Sequence, residues 1–464
     1  MMSFLGRGGL YTLATVAPIL ALLAVTPVVT TLLGKDSYGE VAVAISIYQL
    51  GSVLLVLGLP SMVTRDALME EGGFPGATGY VVMGTALATI LAVIAAAVAP
   101  LWVPAAFPGV EPMVVVFGLI AGAGLGIVTL SQAVLRAAER VWMFVAIATF
   151  AALLPPAIGL ALIFFLSPSP LFYAAGLAGG YLVVAAAAFL IAIRHAAPAL
   201  DIAKTWKAIL VGLPTVPHSL AVPALLSVTM SVVIHTQGVA LAGQLQVAVM
   251  LGTAGVTVLN AVNNAWAPMI FNATLEERPR TLESSTFFVS MFGVVLIAGF
   301  AVVARFLVPF IGRGVVTDSL PTQAAMVIAA AAAFHVLYLA NIHLTFVSKR
   351  TAPLAVLTPL SAVMAIIVGY LMSEILEEPI IGFAMVWPVF YLWQAVFSYL
   401  MARFGPFSPV RIRWSLPVLA LGFAIAVQGA WLTPQPLLSA LASAIAAVAI
   451  VAVFLARRRT QLRE

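Results

Sequence analysis

Charged side chains in this chain sit almost entirely in the short gaps between long apolar runs, and most of the positive ones sit in every second gap. Eighteen of the 21 Lys and Arg residues obey this alternation. They are Arg7; Arg65; Arg136 and Arg140; Arg194, Lys204 and Lys207; Arg278 and Arg280; Lys349 and Arg350; Arg403, Arg411 and Arg413; and Arg457, Arg458, Arg459 and Arg463. Lys35, Arg305 and Arg313 are the exceptions. A helix of about 20 apolar residues crosses the hydrocarbon of a bilayer, and cytoplasmic loops retain Lys and Arg. The alternation therefore predicts eight inside segments, seven outside loops and fourteen spans, with both termini in the cytoplasm.

With 63% hydrophobic and only 8% charged residues in 464, the chain lies far outside the range of soluble domains. The net charge of +5 resolves by side: 18 basic and nine acidic residues inside, three basic and seven acidic outside. The basic balance is thus a topology signal and calls for no nucleic-acid partner; the lipid bilayer, with its anionic headgroups, is the partner it implies. There is no cysteine, which excludes disulfides, thiol chemistry and Cys-ligated metals. The high Ala, Val and Gly content hints at a GC-rich bacterial genome, so the membrane expected is that of a bacterial cell.

The expected spans are 9–33, 41–63, 79–102, 113–135, 141–166, 171–193, 208–235, 241–271, 284–308, 322–347, 353–373, 380–401, 415–432 and 436–456. SPSP at 167–170 and LTPQP at 432–436 mark hairpins by turn chemistry alone. The longest inside segment, 194–207, reads as a short surface helix or linker between two halves of six spans. Those halves echo each other. VVTTLLGKDSYGEVAVAISIYQLG (28–51) and VVIHTQGVALAGQLQVAVMLGTAG (232–255) share seven of 24 positions at a fixed offset of 204, including Gly34/Gly238, Gly39/Gly243 and Gly51/Gly255. Because six is even, the repeat is parallel, with its pseudo-two-fold along the membrane normal. The expected fold is an all-α membrane protein: lobes at 1–200 and 201–410, then two extra helices and a basic cytoplasmic tail at 411–464.

Residues 208–275 hold no charged side chain yet carry the most polar spans. On span eight, Gln246, Thr253, Thr257, Asn260 and Asn264 fall within about 40° of one line along a helix. A polar stripe is unfavourable against lipid and should face protein or water; interhelical hydrogen bonding and cavity lining are both compatible with it. His218, Thr229 and Thr236 make a thinner stripe on span seven, with His235 near its outside end, and span ten adds His335, Asn341 and His343. Histidines 218, 235, 335 and 343 are the internal groups able to titrate near neutrality, although a lone buried histidine is more often structural. The spacing of His335 and His343 does not make a zinc site. Pro18 and Pro27 in span one, and Pro214, Pro217 and Pro223 in span seven, mark the first span of both halves as broken, moving elements.

No Asp or Glu falls inside an expected span, and no nucleophile–base pair, paired-carboxylate set or phosphate-cradling glycine loop is present. Nothing calls for an enzyme, a cofactor or a metal. GLIAGAGLG (118–126) fits close helix packing.

Two blocks carry a family resemblance. LLGKDSYGEVAVAISIYQLGSVLLVLGLPSMVTRDAL (32–68) is similar to the N-terminal signature of Wzx-type polysaccharide flippases, matched by Gly34, Tyr38, Gly39, Gly58, Pro60 and Arg65. LNAVNNAWAPMIF (259–271) resembles the same family's end of span eight, matched by Ala265, Trp266 and Pro268. These flippases share a superfamily with multidrug exporters and lipid II flippases. The resemblance implies alternating-access transfer of a polyprenyl-pyrophosphate-linked oligosaccharide to the outer leaflet, with polysaccharide polymerase or assembly proteins as partners. It places Arg65, and less centrally Arg7, where the diphosphate enters, and the stripe of span eight along the sugar path. The first four cavity-lining candidates (spans one, two, seven and eight) lack interior Arg, which argues against lipid II as cargo; the lack of interior carboxylates argues against a drug exporter. A small-molecule antiporter of the same superfamily and a non-transporting scaffold of a glycan-assembly complex are the alternatives.

The topology is directly testable because the chain has no native cysteine. A membrane-impermeant maleimide should label Ser167→Cys in intact cells and should label Ser348→Cys only after lysis; the reverse pattern would invert the orientation.

Overall fold

A computed structural model describes the backbone of residues 4–69, 72–348 and 350–432, with the isolated positions 445 and 452; side chains are described from 23 to 431 within those ranges and at the two isolated positions. Regular structure in the described residues is helical throughout. Eleven helical stretches are long and apolar enough to cross a membrane. The first of these, Leu23–Met69, takes in parts of two expected spans, and the helix it draws on, Phe4–Leu54, is interrupted at Gly34. Ser415–Leu432 adds a shorter apolar helix. Thirteen of the fourteen expected spans therefore coincide with helices. The fourteenth, and the cations from Arg457 onward, lie outside the described residues, as do the side chains of Arg7 and Pro18.

Helices are what a bilayer permits, because hydrocarbon offers no partner for an unpaired backbone group. Their ends follow the turn chemistry. Pro112, Pro170 and Pro379 each occupy a first helical position, where the missing N–H costs nothing. Ser169 accepts a hydrogen bond from the Leu171 amide at 3.2 Å and starts the sixth span.

Span two departs from the expectation of one continuous helix. It ends at Leu54, turns through residues 55–58, and resumes as Leu59–Met69. Leu57 and Gly58 have φ of 47° and 75°. Pro60 cannot donate to this turn, and Ser61 closes it instead, its amide and hydroxyl both donating to the Gly58 carbonyl at 3.3 and 2.7 Å. The central inside segment is likewise more than a linker. Asp201 caps a helix, Ile202–Gly212, by accepting from the Lys204 amide at 2.8 Å. A single tight turn, Leu213–Thr215, joins that helix to Val216–Gln237.

The chain forms two compact units, Met1–Gln244 with Leu354–Pro359, and Leu245–Pro353 with Leu360–Glu464. In the first, span seven is fastened by its own hydroxyls: Ser227 donates to the Ser46 carbonyl at 3.0 Å and Ser231 to the Ala106 carbonyl at 2.6 Å. In the second, span nine (Arg278–Ile311) packs on the helices of spans ten and thirteen. Arg278 is buried there and donates to the Ile270 and Ala273 carbonyls at 3.2 and 2.8 Å. A residue that reads as a topology cation thus also caps the end of span eight.

The echoed glycines repeat as structure. Gly34 and Gly238 share a backbone conformation, with φ/ψ of 71°/−178° and 88°/173°, a region L-residues rarely enter. Five residues further on, Gly39 and Gly243 meet: a Cβ on Gly243 would lie 2.7 Å from the Lys35 carbonyl oxygen and 3.0 Å from the Gly39 nitrogen, and one on Gly39 would strike the Val239 backbone. Replacing either with valine should cost at least the ~1–3 kcal/mol typical of overpacking. Thermal unfolding of purified Gly39→Val and Gly243→Val should show a clear drop in Tm or loss of folded protein; unchanged Tm would refute the contact.

Candidate functional site

Span eight runs as Val239–Gly252 and Ala254–Asn272, broken at Thr253. Within the second unit its polar stripe separates into groups with different roles. Gln246 is buried, and its side-chain oxygen has no hydrogen-bond partner. Thr253 and Thr257 donate to carbonyls of their own helix, Val249 at 2.7 Å and Thr253 at 3.3 Å. Asn260 and Asn264 are exposed at one face. Opposite them Leu259, Trp266 and Ile270 are buried.

Span ten, Leu320–Ala329 and Ala331–Val347, supplies the partners. Buried His335 bonds through Nε2 to the Asn260 side-chain oxygen at 2.9 Å, and its ring meets Tyr391 edge-on with centroids 4.7 Å apart. Two turns on, buried His343 bonds through Nε2 to the Asn263 side-chain oxygen at 2.8 Å and packs edge-on against Trp266 at 4.7 Å. Trp266 donates to the Ser285 hydroxyl at 2.8 Å, and the Asn341 side-chain oxygen accepts from the Val410 amide at 3.2 Å. Each histidine therefore carries its proton on Nε2, leaving Nδ1 buried without a partner. Asn263 escapes a stripe search because it stands one position off the line; its pairing with Asn264 in an apolar run is the signal for it.

In the first unit, His218 bonds through Nδ1 to the Thr358 hydroxyl at 2.8 Å. His235 is held twice, Nδ1 by the Ser231 carbonyl at 2.8 Å and Nε2 by the Ala105 carbonyl at 2.9 Å. Thr229 is buried with its hydroxyl unpartnered, while Thr236 donates to the Val232 carbonyl at 2.9 Å. Pro27 sits seven residues before the Gly34 break, its carbonyl accepting from the Thr30 and Thr31 hydroxyls at 3.2 and 2.7 Å. Pro214 lies in the turn Leu213–Thr215, Pro217 in the first turn of the next helix, and Pro223 in its interior.

The broken part of span two opens a cavity of about 340 Å³ in this unit. Ser52, Ser61, Thr64, Thr129, Thr215 and Ser219 line it, with Arg136 among them. Five of the six hydroxyls donate to carbonyls nearby in their own chain segment: Gln49, Gly58, Pro60, Leu125 and Gly212. Their oxygens retain lone pairs, so acceptors and the donors of a guanidinium are set in a wall that Val53, Val56, Pro60, Ala133 and Val216 otherwise make apolar. A separate cavity of about 190 Å³ is lined by Arg65, Lys204 and Lys207 beside Asp66. Asp66 is 2% exposed, and the Lys204 ammonium holds both its oxygens at 2.8 and 3.1 Å. Arg65 thus lines this cationic cavity and is not among the residues of the hydroxyl-lined one. Among the described residues no group of three or more His, Cys, Asp or Glu stands close enough to hold a metal ion.

The histidine–asparagine pairs are separable by a double-mutant cycle. Asn263→Leu leaves the His343 ring without its acceptor and should destabilise by about 1–3 kcal/mol. Asn263→Leu/His343→Leu should cost less than the sum of the single changes. Additive losses on thermal unfolding would show that the bond contributes nothing.

Against known proteins, no family model matches the sequence, and no curated protein matches it. Solved structures do. The lipid II flippase MurJ in an inward closed conformation superposes with a TM-score of 0.69 over 96% of this chain and 98% of its own, at 13% identity. An inward-facing multidrug resistance MATE family transporter of the MOP superfamily gives 0.57 over 92% and 99%, at 16% identity. The MATE multidrug transporter DinF-BH, in complex with R6G, gives 0.59 over 86% and 94%, at 13% identity. The chain has the fold these transporters share, along nearly its whole length.

Proposed function

We propose that this protein is a membrane flippase that moves a polyprenyl-pyrophosphate-linked oligosaccharide from the inner to the outer leaflet by alternating access. The observation that carries the reading is the cavity in which six serine and threonine hydroxyls and one guanidinium are set among apolar side chains. A glycan is a dense array of hydroxyl donors, and acceptors fixed by their own backbone bonds are pre-organised to receive them. In the second unit, taken by itself, the exposed Asn260 and Asn264 offer hydrogen-bonding groups of their own, since a polar side chain on a spanning helix belongs at water or protein rather than lipid. The fold shared with a lipid II flippase supports a lipid-linked cargo.

In this reading the protein resides in a bacterial plasma membrane with both termini cytoplasmic. Residues 1–200 and 201–410 act as the two lobes of the cycle, and assembly or polymerase proteins use the delivered glycan outside. Asn260 and Asn264 meet sugar hydroxyls. Their neighbours His335 and His343 hold the path in shape, and the prolines of spans one and seven allow those helices to bend.

A small-molecule exporter is the second reading, supported by the likeness to multidrug transporters. The two differ in which part of the wall they use: a glycan needs the hydroxyls and Arg136, a lipophilic drug the apolar side chains between them.

Asn260→Leu/Asn264→Leu, and separately Ser52→Ala/Thr129→Val, should abolish surface glycan and accumulate lipid-linked sugar on the inner leaflet, with protein in the membrane at its normal level. Surface glycan retained in both variants would defeat the proposal. Loss of drug resistance without any change in glycan would favour the exporter.

A further inference from the structure

The helix Ile202–Gly212 has two unlike faces. Thr205, Ala208, Ile209 and Gly212 are buried against the protein. Ile202, Trp206 and Leu210 point away from it, 75%, 59% and 53% exposed. Large apolar side chains at that exposure, interleaved with Lys204 and Lys207, are the pattern of a helix lying in the membrane interface. A tryptophan there sits at headgroup level.

Beside this helix opens the cavity of about 190 Å³. Its wall carries three cations, Arg65, Lys204 and Lys207, and one carboxylate, Asp66. Lys204 grips both Asp66 oxygens, and its ammonium stands 5.7 Å from the centre of the Tyr80 ring. Lys207 is exposed and makes no hydrogen bond or ion pair among the described residues. A cationic cavity thus adjoins an apolar ledge. A phosphate on acyl chains complements both parts, whereas a soluble anion would leave the ledge unused. The quaternary amine of a zwitterionic lipid would add a fourth cation.

We propose that this cavity holds the phosphate of an anionic phospholipid of the phosphatidylglycerol kind, with its chains along Trp206 and Leu210. The bound lipid anchors the start of span seven to its leaflet. The charge alternation of the sequence assigns that leaflet to the cytoplasmic side, where anionic lipid attracts basic residues. This inference concerns a resident lipid and stands whichever cargo the protein carries.

The full-length protein in nanodiscs provides the test. Brominated chains quench nearby tryptophan, and the signal of Trp206 is the difference between the protein and Trp206→Phe. Brominated phosphatidylglycerol should saturate that signal at a lower mole fraction than brominated phosphatidylcholine. Lys207→Gln, at an exposed position, should raise the required fraction about five-fold, the size expected for one surface lysine. Asp66→Asn should lower it, because Asn still accepts from Lys204 while the competing negative charge is gone. The two variants thus move in opposite directions, which general misfolding would not produce.

Equal quenching by the two lipids would reduce the site to an apolar contact and overturn the proposal. Displacement of phosphatidylglycerol by millimolar inorganic phosphate would overturn it in favour of a soluble anion. A polyprenyl diphosphate that co-purifies with the protein and is lost in Lys207→Gln would overturn it in favour of cargo.

Discussion

Everything in this structure answers to one constraint: a polar group inside a bilayer has no water to fall back on. Most polar side chains in the spans meet it locally. Serine and threonine hydroxyls donate to carbonyls three or four residues back, as Thr253, Thr257 and Ser290 do. Groups too large for that solution bond between helices. His335 and His343 find Asn260 and Asn263 across spans ten and eight, and Trp266 finds Ser285 on span nine. Asp66, near the end of its helix, is buried and tied to Lys204 from another part of the chain.

That constraint also explains how much of the molecule was legible in its sequence. Span positions follow from the long apolar runs, because the bilayer imposes a length on them. The turns at Gly34 and Gly238 follow from the echo between the halves. The polar stripe of span eight follows from helical periodicity, and its splitting into buried, self-satisfied and exposed groups does not. Periodicity places residues on a face without saying what lies opposite. For the same reason Asn263 and Thr358 were invisible as histidine partners: each bond joins segments 80 and 140 residues apart. The break at residues 55–58 was obscured by an uninterrupted apolar composition. Asp66 read as a loop residue because its burial depends on Lys204, 138 positions away.

The two units handle polar groups differently. The first concentrates hydroxyls around an interrupted helix, where the broken backbone and the side chains together make an open wall. The second buries two imidazoles, each bonded to an asparagine of span eight, and leaves one of those asparagines, Asn260, exposed together with Asn264. A shared fold does not by itself fix function, which lies in such local chemistry.

The meeting of Gly39 with Gly243 ties together two positions far apart in the chain. Such positions are normally free to vary independently. Here they press backbone against backbone. A side chain gained in one would have to be accommodated by the other, and neither has a side chain it can shrink in return. The two glycines therefore behave as a single address: a change at either is vetoed from the other.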